Sequence, residues 1–281
     1  MDVSGWRDGA AVEAWLRVQA EASDDALDLA QMALALAALA RPGLDARPYA
    51  AHLDALAEDA AASAATALDP AEQAAALNEV LFERGGYRGD RETYDDLANA
   101  DLARVIDRKK GLPIALSILY LHVARALGWA AAGVNFPGHF VVKLGSGADA
   151  VFADPFDEGA VRTADDLAAL LRRMQGDEAV LAPEHLALAD NRETLLRLQN
   201  NIKLRCLKAG DVAAGLAAVE RMVLVAPEST AVWYEAASLN AEIGQLRRAR
   251  TCLDEVMRAD RHHRFAGAAE ELLQRLKARL N

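Results

Sequence analysis

One segment constrains the fold more than any other, because it is apolar on every side. Between Pro113 and Leu127 the apolar side chains do not keep to a single helical face, and Gly128 follows. A proline is favoured at the first position of a helix. A helix that is apolar all round is buried in the centre of a domain. The pattern therefore predicts a central helix over 113–127 with other elements packed around it.

Three short segments after this helix have the alternating pattern of β-strands. They lie at 130–135, 140–144 and 151–153 and are rich in valine and phenylalanine. Residues 145–149 form a Gly-Ser-Gly-Ala-Asp turn that joins the last two. Helical periodicity dominates the chain before the central helix. We therefore predict an α+β fold that is mostly helical, with a small antiparallel sheet behind the central helix.

The C-terminal part of the chain contains an internal repeat. Gly210 and Gly244 lie 34 residues apart, and small or apolar residues align after each of them. A period of 34 residues with small residues where paired helices cross is typical of tetratricopeptide repeats. Pro227 follows the second helix of the first repeat, as this pattern requires. We predict a core domain over 1–190, with the N-terminal helices packed on it, and a helical repeat domain over 191–281.

Charge and composition argue against several classes of function. The chain has a formal net charge of −11 and a pI of about 5.1, so its field repels nucleic-acid phosphates. Neither a signal-peptide pattern nor an apolar run of membrane-spanning length is present. The cysteines, Cys206 and Cys252, are few enough for a reducing compartment, and no metal-ligand spacing occurs. We expect a cytoplasmic protein that binds neither nucleic acid nor membrane and holds no metal or cofactor.

Three motifs follow one another in the order of a nucleophilic acyl-transfer site. A helix start at 111–113 is followed by the segment 137–140, which contains His139, and then by Asp154 before a proline. A helix N-terminus lowers the pKa of a thiol placed there, a histidine accepts its proton, and a carboxylate orients the histidine. The order of these motifs therefore predicts a candidate site at residue 113, His139 and Asp154.

In combination, the motifs between 78 and 159 resemble the transglutaminase-like core of the bacterial SirB-type family. The matching pieces are 77–82 (LNEVLF), 86–90 (GYRGD), Tyr94, 111–117 (GLPIALS), 136–140 (FPGHF) and 154–156 (DPF). The family pairs this core with C-terminal tetratricopeptide repeats. The resemblance implies a cysteine-protease-like fold for the core, and it implies that His139 and Asp154 correspond to the histidine and aspartate of the family.

The resemblance also identifies the group that is missing. Active transglutaminase-like proteins carry Gly-x-Cys at the helix start, and in this chain the cysteine position holds Pro113. Proline provides neither a nucleophile nor an N–H group. The SirB-type family itself has Gly-Ile-Pro there, and Asp90 and Ala115 stand where Asn and Ser are expected in relatives. The resemblance therefore implies a pseudoenzyme.

Ser117 leaves a second interpretation of the site open. It lies one turn after Pro113 on the same helix face, so its hydroxyl could face His139 and replace the thiol. The alternative is a hydroxyl that bonds back to the carbonyl of Pro113. His139 and Asp154 either close the sheet by hydrogen bonds or form, with Pro113 at the helix start, a binding site for a carboxylate, a peptide end or an amide.

These observations lead to three hypotheses on function. The first is a non-catalytic protein that binds a protein or peptide through the groove of its repeats. The second is a hydrolase or acyltransferase that uses His139 and Asp154 with Ser117 as a nucleophile other than cysteine. The third is regulation of transcription through a partner protein, since an acidic chain without a DNA-reading motif would act indirectly.

Overall fold

The computed structural model describes residues 3–6, 8–64, 67–259 and 265–280. The α-helices within these residues are α1 (Gly9–Ala20), α2 (Leu29–Ala40), α3 (Arg47–Ser63), α4 (Pro70–Asn78), α5 (Leu102–Arg108), α6 (Pro113–Ala126), α7 (Ala164–Gln175), α8 (Asn191–Lys208), α9 (Val212–Val225), α10 (Thr230–Glu242), α11 (Leu246–Ala259) and α12 (Ala266–Leu280). The strands are β1 (Arg88–Gly89), β2 (Lys110–Gly111), β3 (Ala131–Val134), β4 (Val141–Leu144), β5 (Val151–Asp154), β6 (Ala160–Arg162) and β7 (Leu188–Ala189).

The chain divides into two compact units. The first unit consists of Met1–Ala14 and Ala22–Thr194, and the second consists of Trp15–Glu21 and Leu195–Asn281. The domain boundary after residue 190 remains a proposal. Within the described residues, no helix has both the length and the apolar composition that a bilayer span requires.

The sheet of the first unit has five antiparallel strands in the order β6–β5–β4–β3–β7. The three predicted strands correspond to β3, β4 and β5, with Val134 opposite Val141 and Val142 opposite Ala153. The edge strands β6 and β7 have only three and two residues, too few for an alternating pattern to be recognised. A separate parallel pair joins β1 to β2. The prediction of a mostly helical α+β fold with a small antiparallel sheet is confirmed.

Helix α6 is the central helix of the first unit, as the apolar segment predicts. It begins at Pro113, and eleven of its fourteen residues are buried. It packs against α3, β3 and β4 and against the short 3₁₀ segment Pro155–Asp157 that follows β5. In the loop after β3, Phe136 packs with Leu167, Leu170 and Leu171 of α7. The buried helix α6 therefore borders both the sheet and the segment that follows Asp154.

With Asp69 as a cap and Pro70 at the first position, the sequence predicts a helix from Pro70 to Phe82, and the structure differs in its second half. The side chain of Asp69 caps α4 by accepting hydrogen bonds from two backbone N–H groups, but α4 ends at Asn78 and a π-helical segment, Glu79–Arg84, follows. A π-helical turn takes in one more residue than an α-helical turn, and this six-residue segment is too short for apolar periodicity to distinguish the two. The amide of Asn78 donates to the carbonyl of Gly159 at 3.0 Å, which ties the end of α4 to the turn between β5 and β6.

The helices of the second unit contain the predicted repeats. Helices α9, α10, α11 and α12 pack in sequence, each against the next. Gly210 and Gly244 both have a φ of +78° at the turn before α9 and α11, a conformation that glycine adopts without strain. The buried core of this unit includes Val219, Ala237 and Val256. The repeat period of 34 residues therefore corresponds to one pair of helices.

Candidate functional site

The structure brings His139 and Asp154 into direct contact. His139 lies in the turn before β4, Asp154 is the last residue of β5, and these two strands are antiparallel neighbours. The Nε2 atom of His139 lies 2.9 Å from Oδ1 of Asp154. Both residues are buried, with 7% and 3% of their surface exposed. The two side chains therefore form a hydrogen-bonded pair inside the fold.

The orientation of the histidine ring follows from this hydrogen bond. An ionised carboxylate can only accept, so Nε2 of His139 carries the hydrogen that Asp154 receives. The other ring nitrogen, Nδ1, is then the atom at which a neutral imidazole can accept a proton. The ring of Phe156 meets the imidazole edge-on, with 6.0 Å between centroids. This is the arrangement by which a carboxylate orients a catalytic histidine.

Arg162 is a third member of the site, and the sequence did not indicate it. Its Nη2 atom donates to Oδ2 of Asp154 at 3.0 Å and also binds Asp157, and the N–H of Phe156 donates to Oδ1 of Asp154. Burial alone raises the pKa of Asp154, but the hydrogen bonds from His139 and Arg162 more than offset this, so its pKa lies below its usual range. Asp154 is therefore ionised at neutral pH and held by a guanidinium.

Pro113 is the buried first residue of α6. The residue before it, Leu112, forms no side-chain cap at the helix start. In thiol acyl-transfer enzymes this position supplies the nucleophile, and backbone N–H groups stabilise the developing oxyanion. Proline has no N–H group. Residue 113 therefore offers neither a nucleophile nor an oxyanion donor.

Ser117 is fully buried in α6. Its Oγ atom has no hydrogen-bond partner among the described residues. The structure therefore forms neither the contact with His139 that a substitute nucleophile requires nor the bond back to the carbonyl of Pro113.

The two cysteines of the chain are also poor replacements for the missing thiol. Cys206 and Cys252 are free, buried and part of the second unit. Burial raises the pKa of Cys206, and it raises the pKa of Cys252 to about 11. The thiolate is the nucleophilic form of cysteine, so burial disfavours the reactive form of both thiols.

Phe156 and Asp157 form one wall of a cleft of about 280 Å³, which is also lined by 88–92, Lys110 and Glu158. Arg91 lies over the ring of Phe156, 5.1 Å from its centroid. A Cβ atom at Gly89 would come within 2.4 Å of the carbonyl oxygen of Phe156. Glycine is therefore needed at residue 89 for β1 to approach this wall. Neither His139 nor Pro113 lines the cleft.

The buried carboxylate of Asp90 is held by hydrogen bonds from neighbouring side chains. It is 1% exposed, and it accepts hydrogen bonds from Thr93 Oγ1 at 2.6 Å and from Arg108 Nη2 at 2.9 Å. Burial alone raises the pKa of Asp90, but the hydrogen bonds from Thr93 and the charge of Lys110 outweigh it, and its pKa is lowered to about 2. Arg108 also donates to Asn99 at 3.1 Å. Asp90 therefore holds the loop before α5 in place.

Comparison with known proteins agrees with this architecture. Residues 47–200 match the transglutaminase-like superfamily, and residues 202–274 match the tetratricopeptide repeat. The chain belongs to the transglutaminase-like superfamily. The predicted combination of this core with C-terminal repeats is thus confirmed, and the SirB-type resemblance is supported by the bacterial relatives.

These relatives carry no functional description in their names. A UPF0162 protein of Xylella fastidiosa (strain Temecula1) is 34% identical over 190 residues, which are 65% of this chain and 66% of the relative. A UPF0162 protein of Vibrio cholerae is 32% identical over 168 residues, 59% and 62% of the two chains. F-box only protein 21 of Mus musculus is 40% identical over 82 residues, 29% of this chain and 13% of the relative. The match thus spans about two thirds of each bacterial relative, and no solved structure matches significantly.

Proposed function

We propose that this transglutaminase-like protein is a pseudoenzyme that binds a protein or peptide. The observation that carries the proposal is Pro113 at the start of α6, where an acyl-transfer enzyme needs a thiol. The buried, unbonded hydroxyl of Ser117 and the buried thiols of the second unit do not replace it. A transition state for amide cleavage would find a base but no attacking group at this site.

In this proposal the pair of His139 and Asp154 serves the fold. Their hydrogen bond joins the turn before β4 to the end of β5, and Arg162 extends it to β6. Buried charged groups are stable only when they are paired and hydrogen-bonded, and this network meets that condition. The pair can therefore persist without a catalytic role.

The repeat helices supply the binding surface in this proposal. Tetratricopeptide arrays present an extended concave surface to a partner chain. On α8, Leu204 is 55% exposed, while Trp233 and Tyr234 of α10 are only partly buried. Tyrosine and tryptophan are enriched at interfaces. A peptide or helix with apolar anchor residues is the partner that this surface favours.

The experiment separates binding from turnover with one peptide library. Immobilised full-length protein is incubated with glutamine-containing peptides, and bound and unbound fractions are analysed by mass spectrometry. We expect some peptides to be retained without a change in mass. Deamidation or cleavage at enzymatic rates would refute the pseudoenzyme, and the absence of any retained peptide would refute the binding role. Leu204→Glu should weaken retention, whereas Val161→Glu, at an exposed position of β6, should not.

A second candidate function is a serine-dependent hydrolase or acyltransferase. It depends on Ser117, whose hydroxyl lies one turn from Pro113 and is not bonded back to the helix backbone, although the structure shows no contact with His139. A fluorophosphonate probe would label Ser117 if this hydroxyl were activated, and His139→Ala would abolish the labelling. An unlabelled Ser117 in folded protein would exclude this candidate.

The proposal places the protein in the cytoplasm, where it could regulate transcription through its partner. The support for this location is the presence of only two cysteines, Cys206 and Cys252, both of them free. A pull-down with two variants would test the regulatory role. A partner that binds the repeats should be absent from the Leu204→Glu sample and present in the His139→Ala sample. Fractionation of cells with an antibody against the protein would test the location.

A further inference from the structure

A lysine outside the His139 site lies in an environment unlike that of the lysine next to it. Lys109 Nζ is 3.1 Å from His52 Nε2 and 4.1 Å from the centroid of the Tyr87 ring. Among the described residues no carboxylate lies within ion-pair distance of Lys109. The adjacent Lys110 instead pairs with Glu92 at 3.2 Å.

The backbone fixes Lys109 in this position. Lys109 caps the C-terminal end of α5 with a φ of 55°, which is a left-handed conformation. Residues other than glycine rarely adopt this conformation. Its carbonyl oxygen accepts the N–H of Arg88 at 3.0 Å, so β1 holds it from the other side. A strained residue that persists between two fixed elements is a reason to look for a function.

The imidazole of His52 lies within hydrogen-bond distance of this amine and of the Tyr87 hydroxyl, and its Nε2 atom, when it carries no hydrogen, can accept from one of them at a time. Its Nε2 atom lies 2.8 Å from the hydroxyl of Tyr87 and 3.1 Å from Lys109 Nζ. To accept from either group, His52 must be neutral with its hydrogen on Nδ1. Burial, followed by the charge of Lys109, lowers the pKa of His52, which favours this neutral form at physiological pH.

Asp107 of α5 and Asp59 of α3 are charged groups that act on this cluster. Burial lowers the pKa of Lys109, and the charge of Asp107 opposes this in part. The charge of Asp59 in α3 raises the pKa of His52, whereas the charge of Lys109 lowers it. Burial raises the pKa of Tyr87, so its hydroxyl stays protonated. The neutral amine, which is the nucleophilic form of lysine, is therefore more accessible at Lys109 than at a solvated lysine.

We propose that Lys109 is a modification site that takes an acyl group from small acyl phosphates, with His52 as the proton acceptor. The neutral Nζ attacks the acyl carbonyl carbon and forms a C–N bond. The C–O bond to phosphate breaks, and its electron pair leaves with inorganic phosphate. The proton lost from nitrogen passes to Nε2 of His52 and then to water. The product is an uncharged amide at Lys109, so the cation over the Tyr87 ring is lost.

The test compares Lys109 with Lys110 inside one chain. Full-length protein is treated with limiting acetyl phosphate between pH 6 and 9, unfolded, and then fully acetylated with a deuterated reagent. Peptide mass spectrometry gives the modified fraction at each lysine. We expect Lys109 to react at least about tenfold faster than Lys110 at pH 7, which is a modest effect for a positioned histidine base. The acetylation rate of Lys109 should also reach its plateau at a lower pH than the rate of Lys110.

Two variants and one condition make the result decisive. His52→Gln keeps a side chain that can accept a hydrogen bond but removes the base, so the rate ratio should fall to near unity. His185→Gln, in the segment Pro183–Leu186, should leave the ratio unchanged. In urea the wild-type ratio should also approach unity, because the two lysines are then neighbours in an unfolded chain. Equal rates in folded wild type, or a ratio that His52→Gln does not change while circular dichroism shows a folded protein, would overturn the proposal.

Discussion

At the scale of single residues, Asp154 connects more of the site than any other side chain described above. Its two oxygens accept from His139, from Arg162 and from the N–H of Phe156. A buried carboxylate with this many donors is stable only as long as they remain. Loss of one donor therefore affects the fold before it affects any chemistry.

His139→Ala should lower the free energy of unfolding by about 2–4 kcal/mol, since it leaves a cavity and removes a donor from a buried carboxylate. His185→Ala is the control, because His185 is partly exposed and, among the described residues, its side chain bonds only to the N–H of Ala182, so a cost below about 1 kcal/mol is expected. Urea unfolding at neutral pH, followed by circular dichroism, measures both. Equal losses in the two variants would show that the pair with Asp154 does not hold the sheet.

Asp90→Asn should cost about 1–3 kcal/mol at pH 7, because the charge-assisted hydrogen bond from Arg108 is lost. The pKa of Asp90 in the folded protein is about 2, below the value of about 3.9 for an unfolded chain. Its charged form therefore stabilises the fold fully above about pH 5, and this stabilisation is lost as the pH falls towards 2. Urea unfolding at pH 7 and at pH 3 should show a smaller difference between wild type and variant at the lower pH.

The sequence predicted some of these residues and not others, for a physical reason. His139 and Asp154 follow recognisable turn and strand signals, and Pro113 opens an unmistakable apolar helix. Arg162 lies in a three-residue edge strand, and its hydrogen bonds to Asp154 and Asp157 depend on the turn that brings β6 back beside β5. A single arginine in an unrecognised strand carries no sequence signal of its own.

At the scale of elements, close approach of the backbone at Gly89 allows β1 to lie against Pro155–Asp157. Gly89→Ala should destabilise the protein by about 1–3 kcal/mol or more, since its Cβ would overlap the carbonyl oxygen and ring of Phe156. Gly267→Ala in α12 meets nothing within 4 Å and should be neutral or stabilising by up to about 1 kcal/mol. Thermal unfolding of the two variants measures the contrast, and a neutral Gly89→Ala would mean that β1 can move away without cost.

The start of a helix was predicted well where an apolar helical repeat begins next to a capping residue or a proline. Helix α4 has both Asp69 as its cap and Pro70 at its first position, and α6 has Pro113. The π-helical segment Glu79–Arg84 and the two-residue strand β7 were not predicted, because tertiary contacts decide them and local periodicity does not.

At the scale of the whole molecule, the two compact units allow a perturbation to be assigned to one of them. In the second unit, Lys203 of α8 is buried and pairs with Glu235 of α10 at 2.6 Å. Glu235→Gln removes the charge that compensates this lysine, and a cost of about 1–3 kcal/mol is expected, discounted because Glu235 is partly exposed.

Hydrogen exchange read by mass spectrometry should locate this cost. Glu235→Gln should speed exchange in α8, α9, α10 and α11, and it should leave β3, β4 and β5 as protected as in wild type. His139→Ala is the complementary variant. It should speed exchange in β3, β4 and β5 and leave α8, α9, α10 and α11 as protected as in wild type. Faster exchange throughout the chain in both variants would contradict independent units.

The placement of Cys206 and Cys252, both in the second unit, has a consequence for oxidative stress. Peroxide and disulfide reagents silence thiol acyltransferases by oxidising the attacking sulfur. The transglutaminase-like unit of this chain has no cysteine to oxidise. Oxidation of a thiol therefore cannot act directly on a side chain of that unit.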